Sequence, residues 1–311
     1  MPDIFFFSRR AYNASSNRFS SGRARLTRYV QLDRISDIVA SGQILDQSDW
    51  VARVLAQAAG GPILCFVHGF NTSQIEMLRR MEKIRAGLSA QGFSGAVIAY
   101  DWPSQGRISG YLTDRNTAKA IAPFLVVDGL VPFMNARPRP KIHVLAHSMG
   151  GLVTVRGFSQ VGDGHGAPWS VDQVLFASAD VDAVELTKGT GHARVLAARS
   201  ARFTNYFSNQ DKVLKLGENI VSGGRDRLGF DGMPQAIEAG MVDTGCGTRY
   251  AQTIVKPPAA SDEQVFSHRW YFDDTRFMKD AAKTLAGVPE QNMGSTRGVL
   301  VGAEPDQALL P

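Results

Sequence analysis

Short apolar runs alternate along the chain with stretches in which apolar residues recur at helical spacing. The central runs are continuously apolar, as expected of parallel strands that are covered on both faces. The pattern predicts strands at residues 4–7, 26–32, 62–67, 95–100, 141–146, 171–177 and 201–207, and a weak one near Met241. Strands that alternate with helices indicate an α/β fold, with a mostly parallel central sheet and helices on both faces. Antiparallel pairing is compatible with the N-terminal edge.

The helix that follows the strand at 62–67 has a clear beginning in the sequence. Ser73 and Glu76 match a capping box, in which each side chain satisfies a backbone N–H of the first turn. Apolar residues then recur at helical spacing over residues 75–88. Strand, loop, helix and strand in this order form one crossover unit. A second helix is predicted at 116–135, although its two prolines should break or restart it.

Two later stretches depart from this periodicity. Residues 217–262 are rich in glycine and polar residues, and a structureless loop of that length is usually functional or mobile. We therefore expect this segment to cover the active site. Residues 293–311 predict a loose C-terminal tail. With no internal repeat, residues 1–292 are expected to form a single domain.

The composition is that of an ordinary globular protein, with 44% hydrophobic and 20% charged residues in a chain of 311. Large α/β folds of this length often remain one domain. The net charge is +5, but Lys and Arg are scattered and no nucleic-acid-reading motif accompanies them, so nucleic acid is not an expected partner. No apolar run approaches the ~20 residues that a membrane span needs.

The N-terminus and the cysteines predict a cytoplasmic protein. The first residues lack the positive charge and the ~7–15 apolar residues of a secretory signal. Cys65 lies in an apolar run and Cys246 in a glycine-rich loop, and two cysteines do not make a disulfide framework. Neither metal-ligand spacing nor a phosphate or dinucleotide motif occurs, so no metal and no cofactor is expected.

The segment KIHVLAHSMGG carries the strongest chemical signal. A strand runs into A-x-S-x-G and then into a helix, which is the context of a nucleophile elbow, where a strained turn exposes a serine Oγ. Ala146 and Gly150 are small, as required where strand and helix nearly touch, although glycine is usual in place of the alanine. Ser148 is the predicted nucleophile, and the Met149 N–H is a predicted oxyanion donor. A serine-glycine turn without chemistry is the alternative, and His147 is expected to be structural.

A second oxyanion donor is expected from the loop after the strand at 62–67. The apolar run ILCFV is followed there by His68 and Gly69, and then by the capped helix. Gly69 lets the backbone approach a substrate closely, and the Phe70 N–H is the expected donor. His68 could be taken for a catalytic base, but a hydrogen bond within the loop is favoured for it. Both His68 and Gly69 are therefore expected at the pocket.

Four segments together resemble a family of α/β-hydrolases, mostly bacterial, that has no assigned substrate. They are FVHGFN (66–71), DWPSQG (101–106), LAHSMGG (145–151) and FASADVDA (176–183), followed by the turn YFSNQDKVL and a later histidine. The resemblance implies an α/β-hydrolase fold with Ser148 as nucleophile and with Phe70 and Met149 as the oxyanion hole. It also implies that Trp102 and Gln105 lie near the pocket, with loop packing as the alternative for Trp102.

Chain order helps to find the base and the acid, because α/β-hydrolases place Ser first, then the acid, then His. The histidines are His68, His143, His147, His165, His192 and His268. Only His268, just before the final helix, lies late enough. Asp211 follows the strand at 201–207, as the usual topology requires, while Asp180 follows the preceding strand. Asp211 is favoured, partly because the family's Asp-containing turn aligns there.

These residues predict a serine hydrolase that cleaves a carboxylic ester of a small-molecule or lipid-like substrate through an acyl-enzyme. His268 would take the proton of Ser148, with Asp211 orienting the imidazole. Thioester, amide and lipid ester substrates are second choices. Two other classes stay open: an acyltransferase, in which an alcohol replaces water, and a non-catalytic binding module that keeps the fold.

Overall fold

The computed structural model describes residues 2–105, 110–161, 169–220, 224–299 and 307–311, without the side chains of 217–220. His165 and Gly106 lie outside these ranges. The strands are β1 (Ile4–Asn13), β2 (Arg18–Leu32), β3 (Ile44–Leu45), β4 (Ile63–Val67), β5 (Ala96–Asp101), β6 (Ile142–His147), β7 (Val171–Ala177), β8 (Ser200–Phe207), β9 (Met241–Gly245), β10 (Arg297–Gly298) and β11 (Ala308–Leu309). The helices are α1 (Gln47–Ala58), α2 (Gln74–Ser89), α3 (Tyr111–Phe124), α4 (Val131–Met134), α5 (Met149–Val161), α6 (Gly191–Arg199), α7 (Lys212–Ile220), α8 (Leu228–Asp231), α9 (Gly247–Gln252), α10 (Ala260–Ser267) and α11 (Thr275–Leu285).

Within the described ranges, the strands form one sheet of 11 in the order β10-β11-β9-β8-β7-β6-β4-β5-β1-β2-β3. All pairings from β11 across to β1 are parallel. The edge pairings β1–β2, β2–β3 and β10–β11 are antiparallel. The predicted α/β fold with a mostly parallel sheet is therefore confirmed, as is the antiparallel N-terminal edge.

Both faces of the sheet are covered by helices, as the continuous apolar strands predicted. Strand β4 shows the division, because successive side chains of a strand point to opposite faces. Ile63, Cys65 and Val67 belong to one hydrophobic core, which α1, α3, α5 and α6 complete. Leu64 and Phe66 belong to the other core, to which α2 and α11 contribute.

The predicted capped helix is α2. The Glu76 carboxylate accepts the Ser73 N–H at 2.9 Å, and the Ser73 hydroxyl accepts the Glu76 N–H in return. The second predicted helix differs from expectation, since it runs without a break from Tyr111 to Met134 through a π-helical stretch at Leu125–Leu130. The Lys119 carbonyl, which Pro123 cannot bond, accepts instead from Gln160 Nε2 at 3.3 Å.

The continuous helix Tyr111–Met134 is long and apolar enough to cross a membrane by length and composition alone, with a hydropathy of 1.4. In the fold, 50% of this stretch is buried. Its buried side faces α5 and the sheet, as in the core helix of an α/β layer.

The expectation that residues 217–262 are structureless is wrong for the described part, while their role as a cover of the active site stays a prediction. The segment contains α8, α9 and strand β9, which extends the parallel sheet beyond β8. Its elements are too short to show a period in the sequence. Gly229 in this segment serves close packing, since a Cβ there would lie 2.2 Å from the Ser178 carbonyl carbon.

The expected loose tail is also wrong for the residues that are described near the C-terminus. Residues 297–298 and 308–309 form β10 and β11 at the edge of the sheet. Arg297 is buried and its guanidinium lies 2.6 Å from Asp280 Oδ1 on α11. Strands of two residues have no periodicity to detect, and a distant ion pair holds them in place.

Candidate active site

The predicted nucleophile, oxyanion donors and acid follow strands that are neighbours in the sheet. The order β8-β7-β6-β4 places the loops that begin at Ser208, Ser178, Ser148 and His68 side by side. Because the carboxyl ends of parallel strands meet at one edge, ligands bind there in open α/β sheets. The fold thus brings the two predicted oxyanion segments and the predicted acid to the same edge.

Ser148 occupies the strained turn that an elbow requires. Its φ is +56°, in the left-handed region that costs a non-glycine residue about 1–3 kcal/mol. Three backbone hydrogen bonds hold it there: Ser148 N–H donates to the Ala177 carbonyl at 3.2 Å, and its own carbonyl accepts from Gly151 and Asp180 N–H, both at 2.9 Å. The turn between β6 and α5 is therefore fixed by the neighbouring strand β7.

Two glycines allow the backbone to close around this serine. A Cβ on Gly150 would lie 2.3 Å from the Val67 carbonyl oxygen, so α5 could not pack against β4 with any side chain there. A Cβ on Gly69 would lie 2.6 Å from the Ser148 Cβ and 3.1 Å from its Oγ. The loop after β4 therefore lies directly against the serine turn.

The two expected oxyanion donors are available for a ligand. Met149 is the first residue of α5, and Phe70 follows Gly69 in the loop beside Ser148. Among the described residues, neither backbone N–H donates to another group. His68 is completely buried, and its Nδ1 lies 2.9 Å from the Gly69 carbonyl, which is the loop hydrogen bond favoured for it.

Asp211 and His268 form a buried pair. His268 Nδ1 lies 2.6 Å from Asp211 Oδ2, and Asp211 is 0% exposed. The other carboxylate oxygen accepts the Val213 and Leu214 N–H groups, each at 3.0 Å, so it also caps α7. Negative charge is favoured at a helix N-terminus. Asp211 can therefore hold an imidazole at Nδ1 and leave Nε2 for chemistry.

His268 and Ser148 do not hydrogen-bond to each other in the described structure; His268 Nε2 has no partner there, and neither has Ser148 Oγ. Such bonds are often long before a substrate binds. What joins the two segments is His147, which precedes the serine. Its Nε2 lies 2.8 Å from the His268 carbonyl, and the two rings are 4.6 Å apart at their centroids.

His147 has the structural role that was expected of it. Burial, and then the neighbouring His268, lower its pKa well below the usual value, so the ring is neutral near pH 7. Its one proton must lie on Nε2, because the His268 carbonyl can only accept. His147 therefore anchors the segment that carries the predicted base.

Asp180, the alternative acid, is engaged elsewhere. Its Oδ2 accepts the Tyr111 hydroxyl at 2.6 Å, and its Oδ1 lies 3.3 Å from the Arg227 guanidinium. Its backbone N–H supports the elbow through the Ser148 carbonyl. In the described residues its carboxylate has no hydrogen bond to His268, so the geometry favours Asp211 as the partner of the base.

Trp102 and Gln105, which are expected near the pocket, make different contacts. Trp102 is fully buried, stacks on the His68 ring at 5.2 Å and donates its indole N–H to the His68 carbonyl at 2.7 Å. This is the loop packing that was the alternative for Trp102. Gln105 is half-buried, and its N–H donates to the Asp114 carboxylate at 2.9 Å. The Trp102 and His68 rings are both fully buried, so Trp102 supports the loop after β4 by packing.

Sequence reasoning missed a buried ion pair below this loop. Arg10 on β1 is 3% exposed, and its Nε lies 2.7 Å from Asp101 Oδ1 at the end of β5. Burial opposes the charged carboxylate, but Arg10 lowers the pKa of Asp101 below its usual value. An arginine inside the apolar strand IFFFSRR was the available signal. No group of side chains in the described ranges could hold a metal ion.

Residues 45–237 match the family model described as an alpha/beta hydrolase of unknown function, DUF900. The matched span includes Gly69, Ser148 and Asp211, whereas Arg10 and His268 lie outside it. No curated protein matches the chain. Among solved structures, the chain is similar to a lipase-esterase related protein from Clostridium acetobutylicum ATCC 824, at 10% identity and a TM-score of 0.33, with 73% of this chain and 94% of that chain covered.

Proposed function

We propose that the chain, which belongs to the DUF900 family of alpha/beta hydrolases, is a serine hydrolase that cleaves a carboxylic ester through a covalent acyl-enzyme. The observation that carries the proposal is the buried 2.6 Å bond between Asp211 and His268, on a segment anchored beside the strained Ser148 turn. A histidine oriented by a carboxylate beside an elbow serine is the arrangement that makes a serine nucleophilic.

In the first half of the reaction, Ser148 Oγ attacks the acyl carbon while its proton passes to His268 Nε2. Asp211 accepts from Nδ1 and thereby keeps Nε2 unprotonated and able to act as the base. The carboxylate also stabilises the imidazolium that forms. His268 then returns the proton to the departing alcohol, and the acyl group remains on Ser148.

The negative charge that develops on the carbonyl oxygen needs donors that are already in place. Phe70 and Met149 supply two backbone N–H groups without partners in the described fold, on either side of the Gly69–Ser148 contact. Loss of one such donor typically costs ~2.7–4 kcal/mol of transition-state stabilisation. In the second half, water deprotonated by His268 attacks the acyl-enzyme and releases the acid.

The proposed substrate is a small-molecule or lipid-like ester. Hydrolysis of p-nitrophenyl esters of graded acyl length tests the proposal. We expect turnover by the wild type and a loss of roughly 10⁶-fold in kcat in Ser148→Ala, since the triad acts as a unit. Ser159→Ala, on the same helix α5, is the matched control and should keep its activity.

The melting temperature of each variant shows whether the fold is kept. A folded Ser148→Ala protein with most of its activity would contradict the proposal. Added alcohol separates hydrolase from acyltransferase, because a transferase would give the new ester in place of the free acid.

A further inference from the structure

The oxyanion loop is held through its backbone carbonyls. The acceptor and donor pairs are the His68 carbonyl with Trp102 Nε1 at 2.7 Å, the Gly69 carbonyl with His68 Nδ1 at 2.9 Å, the Phe70 carbonyl with the Thr72 hydroxyl at 3.2 Å, and the Thr72 carbonyl with Arg10 Nη2 at 2.8 Å. Among described residues, the Phe70 N–H has no such partner. The backbone carbonyls of the loop are therefore held by hydrogen bonds, while the Phe70 N–H remains available to a ligand.

The bond to the Gly69 carbonyl sets the direction of the Phe70 N–H. The two groups belong to one peptide unit, and in a planar trans peptide they point in opposite directions. Because the Gly69 carbonyl points towards the His68 ring, the Phe70 N–H must point away from it. Gly69 is also the residue whose Cα lies against Ser148. The His68 ring thus controls the orientation of the predicted oxyanion donor.

This control depends on which ring nitrogen of His68 carries the proton. Burial lowers the pKa of His68, so the ring is neutral near pH 7 and has one N–H. The Gly69 carbonyl can only accept, which requires the proton on Nδ1. The other nitrogen, Nε2, is buried, has no hydrogen-bond partner within the described part of the chain and lies 3.6 Å from Asp101 Oδ1. An uncompensated carboxylate at that position would favour the proton on Nε2 instead.

Arg10 compensates that carboxylate. Its Nε donates at 2.7 Å to Asp101 Oδ1, the same oxygen that faces His68, while the Ser8 hydroxyl donates to Oδ2 at 2.9 Å. The guanidinium also donates to the Ser104 carbonyl at 2.9 Å. Arg10 therefore neutralises the charge beside His68 and ties β1 to the loops after β4 and β5.

We propose that Arg10 is a positioning residue of the oxyanion hole: by neutralising Asp101 it keeps the His68 proton on Nδ1 and so directs the Phe70 N–H towards Ser148. This rests on the proposed function for its effect on catalysis. Strand β1 lies outside the residues that the family model matches, so the loop at 66–71 depends on a segment before them.

Arg10→Met should lower kcat by about 10–100-fold, since the oxyanion donor is misdirected rather than removed, with KM changed by about twofold or less. Arg9→Met is the matched control. Arg9 precedes Arg10 on β1 and is also 3% exposed, but its guanidinium lies 3.6 Å over the Phe124 ring. It should keep the wild-type kcat. Equal kcat values in the two variants would overturn the proposal.

Arg10→Met leaves a buried carboxylate without its partner, so the double variant Arg10→Met/Asp101→Asn is measured beside it. The amide removes the charge and can donate to His68 Nε2, which favours the proton on Nδ1. We expect the double variant to recover at least about a tenth of the wild-type kcat. A double variant that folds but stays as slow as Arg10→Met would contradict the role of charge.

The ring nitrogens of His68 give a readout that does not depend on activity. Their ¹⁵N chemical shifts, assigned with His68→Gln, should show the proton on Nδ1 in the wild type and in Arg9→Met, and on Nε2 in Arg10→Met. A wild-type proton on Nε2 would overturn the proposal. An inactive wild type would instead contradict the proposed function, while the shifts would still decide whether Arg10 sets the tautomer.

Discussion

Two of the buried carboxylates that hold a basic partner invite comparison: Asp211, at the C-terminal edge of the sheet, and Asp280, on α11. Both are 0% exposed, and each bonds its partner at 2.6 Å. Around Asp280, both oxygens are used: Arg297 bonds both, the Tyr206 hydroxyl donates to one and the Thr296 hydroxyl to the other. The partner Arg297 makes further bonds of its own.

The two clusters differ in whether the basic partner keeps a nitrogen without a hydrogen bond. Arg297 Nη2 also donates to Thr284 at 2.9 Å and Nη1 to Glu290 at 2.7 Å, so the cluster is saturated and holds β10 in place. His268 bonds through Nδ1 and, within the described structure, its Nε2 remains without a partner beside the serine elbow. A saturated network stabilises a fold, whereas a carboxylate–histidine pair with one open nitrogen can accept a proton.

The largest expected effect distinguishes Asp211 from the other acid at this edge. Asp211→Asn should lower kcat by about 10⁴-fold, because an amide favours the wrong imidazole tautomer of His268. Asp180→Asn is the matched control and should change kcat far less, since Asp180 bonds Tyr111 and Arg227 instead. Steady-state kinetics on the best ester checks both, and the reverse ranking would assign the acid to Asp180.

A change in the Asp280–Arg297 cluster should lower the stability of the fold and leave kcat unchanged. Arg297→Met leaves Asp280 buried and unpaired, which should lower the free energy of unfolding by about 3–5 kcal/mol. Urea unfolding measures this, with Arg276→Met, on the helix α11 that carries Asp280, as the control. At temperatures where the variant is folded, its kcat should equal that of the wild type. A large loss of kcat in folded Arg297→Met would break the distinction between the two clusters.

The smallest expected effect concerns a buried base with no partner. Among the residues that the structure describes, neither ring nitrogen of His143 on β6 has a hydrogen-bond partner, and burial lowers the pKa of His143 to about 4. In the unfolded chain, His143 has a pKa near 6.5 and binds a proton that it does not bind in the folded chain. The free energy of unfolding therefore falls as the pH drops from about 6.5 towards 4. At pH 4.5 the loss should be roughly 2–3 kcal/mol.

His143→Leu should remove this part of the acid sensitivity. Urea unfolding of the wild type and the variant at pH 7 and pH 4.5 gives the comparison. If both proteins lose the same free energy of unfolding between these pH values, His143 is not the group responsible.

The sequence predicts those features of the fold and of the site that are encoded within a short stretch of the chain. The inner strands are continuous apolar runs, and the elbow pentapeptide lies within one turn, so both could be located without a structure. Chain order and one Asp-containing turn were enough to select His268 and Asp211 as candidates. Their meeting depends on the sheet order that brings β8 near β6.

The features that were missed depend on contacts between distant segments. Arg10 and Asp101 are separated by 91 positions, so no local pattern shows that they pair. The C-terminal strands β10 and β11 contain two residues each and depend on Arg297 meeting α11. The short helices and the strand of residues 217–262 were missed because glycine suggested looseness, whereas Gly229 is packed tightly against the backbone of the loop after β7.

Covalent labelling tests the central claim most directly. A fluorophosphonate probe reacts with a serine only when a base and an oxyanion hole activate it, and peptide mapping by mass spectrometry locates the adduct. We expect one adduct, on Ser148, that is absent in Ser148→Ala and forms much more slowly in Asp211→Asn. Folded wild-type protein that takes up no probe, or a Ser148→Ala protein labelled at the wild-type rate, would contradict it.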